Sequence, residues 1–253
     1  MHQTKISVGG DPEFFLFDDG YPCPAHEMVP GTKENPHKLK CGAVQVDGMA
    51  VEFNIDPSYS SEEFSHNINE TLLEIRGMIP KKYEFRYQPS VFFRMLTLEK
   101  TPDHIKELGC SPDWNAYTSL QNISPMVELE KFPTLRSAGG HITAGWAKDL
   151  DKTDASHIAD CEAYIKEIDP IYQSFSNLWN QDMIRHKLYG APGAYRPTSF
   201  GAEYRTPSNA WVRYPKLYPF IFNMAYGVAN QFLTQEPYVP EMNMDWIAET
   251  RRD

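Results

Sequence analysis

The fold is decided by the stretch Gly10-Asp11-Pro12-Glu13-Phe14-Phe15-Leu16-Phe17 near the N-terminus. Its apolar second half is typical of a buried β-strand, and the turn signal Asp18-Asp19-Gly20 ends it. The same strand carries two carboxylates, Asp11 and Glu13, separated by one residue. Because residues i and i+2 of a strand point to the same face, we expect both acids to leave the sheet together.

Three other strand-like segments carry polar or ionisable groups in the same way. They are Val44 to Ile55, with Asp47, Glu52 and Asn54; Ser137 to Trp146, with His141 and Thr143; and Phe200 to Thr206, with Glu203 and Arg205. A single carboxylate on a strand more often faces solvent, and a single histidine is more often structural. The prediction therefore depends on four segments sharing the feature. If they are neighbours, one surface holds about four acids and an imidazole, a combination that divalent cations make tolerable. Oxygen ligands with one imidazole suit Mg²⁺ or Mn²⁺ better than a sulfur-rich zinc site.

Composition limits the class of protein. The 253 residues include 24 basic and 34 acidic side chains, a net charge of −10. This argues against a broad nucleic-acid interface, which needs clustered Lys and Arg, but allows a local cationic pocket for a small anion. No apolar run approaches the roughly 20 residues of a membrane helix. The N-terminus lacks a secretory layout, and four dispersed cysteines without a CxxC motif indicate a reduced, cytoplasmic protein.

The helical pattern completes an α+β interpretation. A capping box of Ser60 and Glu63 predicts an amphipathic helix that ends at Pro80. A second helix is expected from Thr153 or Asp154, kinked or split by Pro170, and a third over Pro215 to Leu233. The stretch Phe85 to Leu98 is predicted to be strand. The elements lack a regular βαβ rhythm, so we expect one α+β domain over residues 1–253, with a peripheral tail from about residue 236.

The four segments, in this order, resemble the metal-binding strands of the glutamine synthetase-like amidoligase superfamily. The resemblance is more specific to the carboxylate–amine (COOH-NH2) ligases of type 2 known from phiEco32-like phages, and it covers about residues 6–212. The motifs that carry it are DPEFFLFD (11–18), VDGMAVEFN (46–54), SAGGHITAG (137–145), RHKLYGAPGAYRP (185–197) and FGAEYRTPS (200–208). Two positions differ from the pattern. Asp11 stands where glutamine synthetases have Glu, and Thr143 stands where relatives often have a second histidine.

The resemblance implies a curved, mostly antiparallel sheet with helices on its outer face, and an ATP-dependent ligase that joins a carboxylate to an amine through an acyl phosphate. It implies ATP and Mg²⁺ or Mn²⁺ as cofactors, small-molecule or peptide substrates, and no membrane partner. A homo-oligomer is compatible with it. A phage origin would locate the protein in the cytoplasm of the infected cell.

The resemblance also assigns roles to residues. Glu13 and Glu52 would hold one metal ion, with Asp47 a weaker candidate, and Asp11, His141 and Glu203 would hold the second. The expected catalytic and phosphate-binding side chains are Arg185, Arg196 and Arg205, and the glycines that would admit the nucleotide are Gly190 and Gly193. For Arg185 and Arg196 a surface salt bridge is an equal alternative. Asp113 and Asn115 could contact the amine substrate, although a turn role is favoured.

Other functions stay open at this point. A guanidino-kinase-like phosphotransferase would stop at a phosphorylated product. A metal-dependent hydrolase would use the acids and His141 to activate water without a nucleotide. A non-catalytic interaction protein is disfavoured, because it has no reason to retain buried charge. The residues do not identify the carboxylate or the amine.

Overall fold

A computed structural model of the chain describes residues 5–106, 113–122, 131–180, 182, 184–185 and 189–235. The strands in these residues are β1 (Ser7–Asp18), β2 (Tyr21–Cys23), β3 (His37–Lys38), β4 (Gly42–Asp47), β5 (Ala50–Ile55), β6 (Glu84–Arg86), β7 (Ser90–Phe92), β8 (Trp114–Asn115), β9 (Leu120–Gln121), β10 (Leu135–Ser137), β11 (Gly140–Gly145), β12 (Ala194–Pro197) and β13 (Gly201–Tyr204). The helices are α1 (Ser61–Met78), α2 (Met95–Lys100), α3 (Asp103–Lys106), α4 (Ala155–Ser176) and α5 (Tyr218–Thr234). The tail from residue 236, predicted to be peripheral, lies outside the described residues.

Within the described residues, eleven strands form one sheet. Its main path runs β3-β4-β5-β1-β11-β13-β12-β8-β9, while β2 and β6 also pair with β1. The strands β7 and β10 form a separate pair. Every pairing is antiparallel. The predicted α+β class with a mostly antiparallel sheet is therefore confirmed, and the curvature of the sheet stays a prediction.

The side-chain alternation along β1 separates two faces. Val8, Phe14 and Leu16 belong to the main hydrophobic cluster, which also contains buried side chains of α1, α4 and α5. Asp11 and Glu13 point to the opposite face, as the period of two in a strand requires. The same alternation continues through β4, β5, β11 and β13. The sheet thus buries one face against helices and turns its acids away from them.

The predicted helices are present. Ser60 caps α1 by accepting a hydrogen bond from the backbone N–H of Glu63 at 3.2 Å, and the Glu63 carboxylate returns to the N–H of Tyr59 at 2.7 Å. Asp154 caps α4. Of the two effects expected of Pro170, the split is wrong, because α4 continues through it to Ser176, and the kink stays a prediction. Buried side chains on both sides of the proline pack into the same core, which holds the helix together despite the missing backbone donor.

Two other segment predictions need correction. Val44 to Ile55 is a hairpin of β4 and β5 rather than one strand, because Gly48 adopts φ +55° and reverses the chain. Phe85 to Leu98 is divided into β6, β7 and the start of α2, with Pro89 between the two short strands. None of the helices in the described part of the chain is long and apolar enough to span a bilayer.

Candidate functional site

Strand register brings the predicted acids onto one surface. The residues that face each other across adjacent strands are Gln45 and Glu52, Glu52 and Glu13, Asp11 and His141, Thr143 and Glu203, and Glu203 and Arg196. These pairs cross six neighbouring strands, from β4 to β12. All of them lie on the face of the sheet opposite α1, α4 and α5. Residues up to about 190 positions apart in the sequence are therefore neighbours.

The first acid set consists of Asp11, His141 and Glu203, whose potential ligand atoms all lie within 4.8 Å of one another. The Nδ1 atom of His141 is 3.4 Å from Asp11 Oδ2 and 3.4 Å from Glu203 Oε1. Gly139 makes room for the imidazole, because a Cβ at that position would lie 2.4 Å from His141 Nε2. Asp11 Oδ1 is buried and has no hydrogen-bond partner among the described residues. A buried carboxylate oxygen without a donor is suited to a cation.

The second acid set consists of Glu13, Asp47 and Glu52, again with ligand atoms within 4.8 Å of one another. Asp47 comes from the end of β4, immediately before the Gly48 turn, which explains how it reaches Glu52 on β5. Glu52 accepts a hydrogen bond from Gln45 Nε2 at 2.7 Å, and Glu13 accepts one from the N–H of Gly139 at 3.1 Å. These neighbours orient the carboxylates and leave other oxygens free to bind an ion.

In both sets, burial makes the ionised form of at least one carboxylate unfavourable. Burial raises the pKa of Asp11 to about 6, although Arg205 and Arg196 oppose the shift. Burial, followed by the charge of Asp47, raises the pKa of Glu13 to about 8. The pKa of Glu52 is also raised well above its usual value by burial and then by Asp11. A divalent ion would reverse these costs, because it favours the ionised form of each carboxylate.

The histidine is shifted in the opposite direction. Burial, followed by repulsion from Arg205, holds the pKa of His141 well below its usual value. A neutral imidazole keeps a lone pair, which is the form that coordinates a metal ion. The donor sets therefore fit hard divalent cations with oxygen ligands and one nitrogen. That these residues bind metal stays a prediction.

Two of the predicted arginines contact the first acid set. Arg205, which is 6% exposed, donates to Glu203 Oε1, and its Nε lies 3.4 Å from Asp113 Oδ2. Arg196 Nη1 lies 3.5 Å from Glu203 Oε2, and its side chain is 32% exposed. Both guanidinium groups therefore lie beside the first acid set, and their contact with a transferred phosphoryl group stays a prediction.

Arg185 has a different environment. It is 1% exposed, and its guanidinium donates to the backbone carbonyls of Ala138 at 2.9 Å, Arg205 at 3.3 Å and Thr206 at 2.7 Å. These contacts support the backbone that carries Arg205. They favour a supporting role for Arg185, and direct contact with a phosphate stays a prediction.

The predicted nucleotide-binding glycines have structural reasons of their own. Gly190 adopts φ +74°, and a Cβ there would lie 1.9 Å from Arg185 Nη1. Gly193 adopts φ +76°, and its Cβ would lie 2.6 Å from the ring of Tyr117. The space beside these two glycines, which we expected to admit a nucleotide, is thus occupied by Arg185 and Tyr117. Nucleotide contact at these glycines stays a prediction.

A cavity of about 350 Å³ opens beside Asp11 on the same face. Asn54 and Thr143, which the sequence analysis placed on the same faces as Glu52 and His141, are part of its lining. The lining also includes residues that the sequence analysis did not select: Lys5, Ser7, Tyr59, Lys148 and Phe200. Lys5, Tyr59 and Lys148 come from segments outside the five motifs, so no motif marked them.

A second, smaller pocket lies on the other side of the acids, with Glu13, His141, Asp113 and Arg205 in its lining. Asp113 therefore belongs to the site. The carboxylate sets lie between the two pockets, because Asp11 lines the larger and Glu13 and His141 line the smaller. Asn115 instead donates to the carbonyl of Pro192 at 3.0 Å and accepts from the N–H of Tyr117, which fits the predicted turn role.

Comparisons with solved structures include a distant likeness. The chain is similar to the glutamine synthetase of Plasmodium falciparum, solved by cryo-electron microscopy, with 12% identity and a TM-score of 0.45. The alignment covers 95% of this chain and 54% of the other, so the chain spans about half the length of that protein. No family model and no curated protein matches the sequence. We therefore base the function on the geometry of the site.

Proposed function

We propose that the protein is an ATP-dependent carboxylate–amine ligase that forms an amide through an acyl phosphate. The observation that carries this proposal is the arrangement of two adjacent acid sets between two pockets, with two arginines at one side. Two divalent ions bound by neighbouring acid sets are suited to hold a triphosphate and neutralise its charge. A non-catalytic surface that binds no metal would not account for a buried Asp11 oxygen that lacks a hydrogen-bond donor among the described residues.

The larger cavity would take the nucleotide. Its volume of about 350 Å³ falls within the range of small-ligand sites, and it opens directly beside Asp11. Lys5 and Lys148 bring positive charge to a chain of net charge −10, while Tyr59 and Phe200 offer aromatic surface for a base. In this orientation the terminal phosphate would lie at Asp11, His141 and Glu203.

The residues of the site have distinct tasks in the proposed reaction. Asp11, His141 and Glu203 would hold one Mg²⁺ or Mn²⁺, and Glu13, Glu52 and Asp47 the other, which together would supply charge neutralisation for the phosphates. Arg205, backed by Arg185, and Arg196 would stabilise the negative charge of the migrating phosphoryl group. The acid substrate would approach from the side of the smaller pocket, beside Glu13 and Arg205; at about 20 Å³ this pocket has room for about one water molecule, so side chains would have to move to admit the acid.

The proposed chemistry has two steps. A substrate carboxylate oxygen attacks the γ-phosphorus, the bond from that phosphorus to the β,γ-bridging oxygen breaks, and ADP leaves. The amine nitrogen then attacks the acyl carbon, the carbon–oxygen bond to phosphate breaks, and the nitrogen loses a proton to solvent. One carboxylate oxygen therefore ends in inorganic phosphate. Both substrates are small molecules or peptides in this proposal.

This oxygen transfer gives a direct experiment. The protein is incubated with ATP, Mg²⁺, hydroxylamine as a general amine, and a pool of metabolite acids labelled with ¹⁸O in their carboxylates. We expect ADP, hydroxamates and inorganic phosphate that carries one ¹⁸O atom, all detected by mass spectrometry.

Other outcomes would overturn the proposal. A phosphorylated product without inorganic phosphate would indicate a phosphotransferase, and unlabelled phosphate formed without any acid would indicate hydrolysis. Asp11→Asn should abolish the labelled phosphate. Asp18→Asn is the matched control, since Asp18 lies on the same strand but pairs with Lys82 at the surface, 2.5 Å away.

A further inference from the structure

A buried carboxylate on the helix side of the sheet takes no part in the chemistry above. Asp169, in α4, is 2% exposed. Its Oδ1 accepts hydrogen bonds from the hydroxyl of Tyr204 at 2.6 Å and from the backbone N–H of Gly193 at 3.0 Å. Its Oδ2 accepts a hydrogen bond from the hydroxyl of Tyr117 at 2.9 Å. One carboxylate thus joins three segments that are distant in sequence.

Each of these segments carries a charged residue of the candidate site. Tyr204 is the last residue of β13, between Glu203 on that strand and Arg205 just after it, and it points to the helix side while these two neighbours point to the site. Gly193 immediately precedes β12, which carries Arg196. From the helix side of the sheet, Asp169 therefore contacts the segments that carry these residues of the site.

Tyr117 supplies the third link, to the β8–β9 hairpin. This hairpin follows Asp113, whose carboxylate pairs with Arg205 Nε at 3.4 Å. The N–H of Ala116 donates to the carbonyl of Gly193 at 2.9 Å, so the hairpin and the turn before β12 are docked on each other. The absence of a Cβ at Gly193 lets the Tyr117 ring approach closely enough to reach Asp169.

The use of a carboxylate at this buried position requires a reason. A buried carboxylate costs several kcal/mol unless it is well hydrogen-bonded, and an apolar side chain would fill a helix–sheet contact without that cost. Three converging donors offset the cost of burial, and each of them restrains a different segment.

We propose that Asp169 is a positioning residue that fixes the β8–β9 hairpin and the turn at Gly193 against β13, so that Asp113, Arg196 and Arg205 are held at the site. This proposal rests on the proposed function only in taking that site to be the catalytic site. The restraint of the hairpin and the turn by Asp169 is a property of the fold, and it can be measured without substrate.

The test compares single hydroxyl deletions. Tyr117→Phe removes only the link between Asp169 and the hairpin. Tyr164→Phe is the matched control, because the buried Tyr164 hydroxyl also joins α4 to another element, through the carbonyl of Ala225 in α5 at 3.4 Å, and this bond lies away from the hairpin. We expect Tyr117→Phe to speed amide hydrogen exchange in residues 113–122 roughly tenfold, since a hydrogen bond to a charged acceptor is lost, with α1 and β1 unchanged. Tyr164→Phe should leave the hairpin at the wild-type rate.

A conservative variant and a kinetic readout separate positioning from general damage. Asp169→Asn keeps an acceptor for Tyr204 and Gly193, and its amide can donate to the Tyr117 hydroxyl, so it should retain most of the protection that Asp169→Ala loses. With ATP, Mg²⁺, hydroxylamine and the acid pool as probes, Tyr117→Phe should lower kcat for ADP release but leave KM for ATP unchanged, because the lining of the larger cavity does not include the hairpin.

Wild-type exchange in the hairpin of Tyr117→Phe, or equal loosening of the hairpin by Tyr164→Phe, would overturn the proposal. Equal changes in kcat and KM would overturn it as well, because they would indicate a site disturbed as a whole. If the wild-type protein releases no ADP under any condition, the proposed function fails. The exchange comparison would then decide the role of Asp169 by itself.

Discussion

The substitution Glu13→Gln tests the electrostatics of the acid sets, because it removes one charge and retains the shape. Burial and Asp47 raise the pKa of Glu13 from its ordinary 4.5 to about 8 in the folded state. A carboxyl with a raised pKa stabilises the fold below its unfolded pKa, and this stability is lost as the pH rises through the folded pKa. Without metal, the wild-type protein should therefore become less stable between about pH 5 and pH 8.5.

The shift sets the size of the effect. A difference of about 3.5 pKa units corresponds to at most about 5 kcal/mol, at roughly 1.4 kcal/mol per unit. For a chain of this size that is roughly 10 °C in Tm. Glu13→Gln cannot ionise, so in EDTA at pH 8.5 it should melt higher than wild type, while at pH 5 the two should melt alike. The amide oxygen can still accept from the N–H of Gly139.

Added Mg²⁺ should reverse the order of the two melting temperatures. With excess Mg²⁺ at pH 8.5, the wild-type protein should gain stability because the ion favours its ionised acids, and Glu13→Gln should gain much less. Glu84→Gln is the control, since Glu84 is 62% exposed in its side chain and pairs with Arg86 at the surface. The measurement is differential scanning calorimetry at both pH values. A lower Tm for Glu13→Gln than for wild type in EDTA at pH 8.5, or equal stabilisation of both by Mg²⁺, would refute the reasoning.

Three further substitutions test the support of the site, the nucleotide cavity and a helix cap. Gly190→Ala should destabilise the fold by about 3 kcal/mol or more, because it strains a left-handed residue and displaces Arg185, whereas Gly77→Ala, in open space in α1, should stabilise it by about 0.5–1 kcal/mol in urea denaturation. Lys148→Ala should weaken ATP binding about tenfold in calorimetric titration and leave Tm unchanged; unchanged affinity would exclude this cavity as the nucleotide site. Ser60→Ala should cost about 1 kcal/mol through loss of the α1 cap, and no loss of Tm would contradict the capping role.

The sequence allowed the composition of the site to be predicted because strand alternation is local. The spacing of Asp11 and Glu13 fixes their common face whatever the rest of the chain does. Adjacency is not local: that Asp11 faces His141 depends on the register of β1 and β11, which comes from tertiary packing. Recognition of ordered motifs, rather than periodicity, led us to group Asp11 with His141 and Glu203, whose potential ligand atoms lie within 4.8 Å of one another.

The supports of the site could not be predicted in the same way. The resemblance assigned Gly190 to a nucleotide because a residue without a side chain lets the backbone approach a ligand, but the group that approaches it is Arg185. In the sequence, Asp169 is only a polar residue of a predicted helix, immediately before a proline. Its three donors come from segments up to 52 positions away, so no local pattern marks it.

The central claim is that the two acid sets bind divalent ions next to a triphosphate. The most direct measurement is anomalous X-ray diffraction at the manganese edge, from crystals grown with Mn²⁺ and a non-hydrolysable ATP analogue. We predict two peaks, one among Asp11, His141 and Glu203 and one among Glu13, Asp47 and Glu52, with the γ-phosphate within reach of Arg205. Peaks confined to other surfaces, or acid sets without ions beside a bound nucleotide, would contradict the claim.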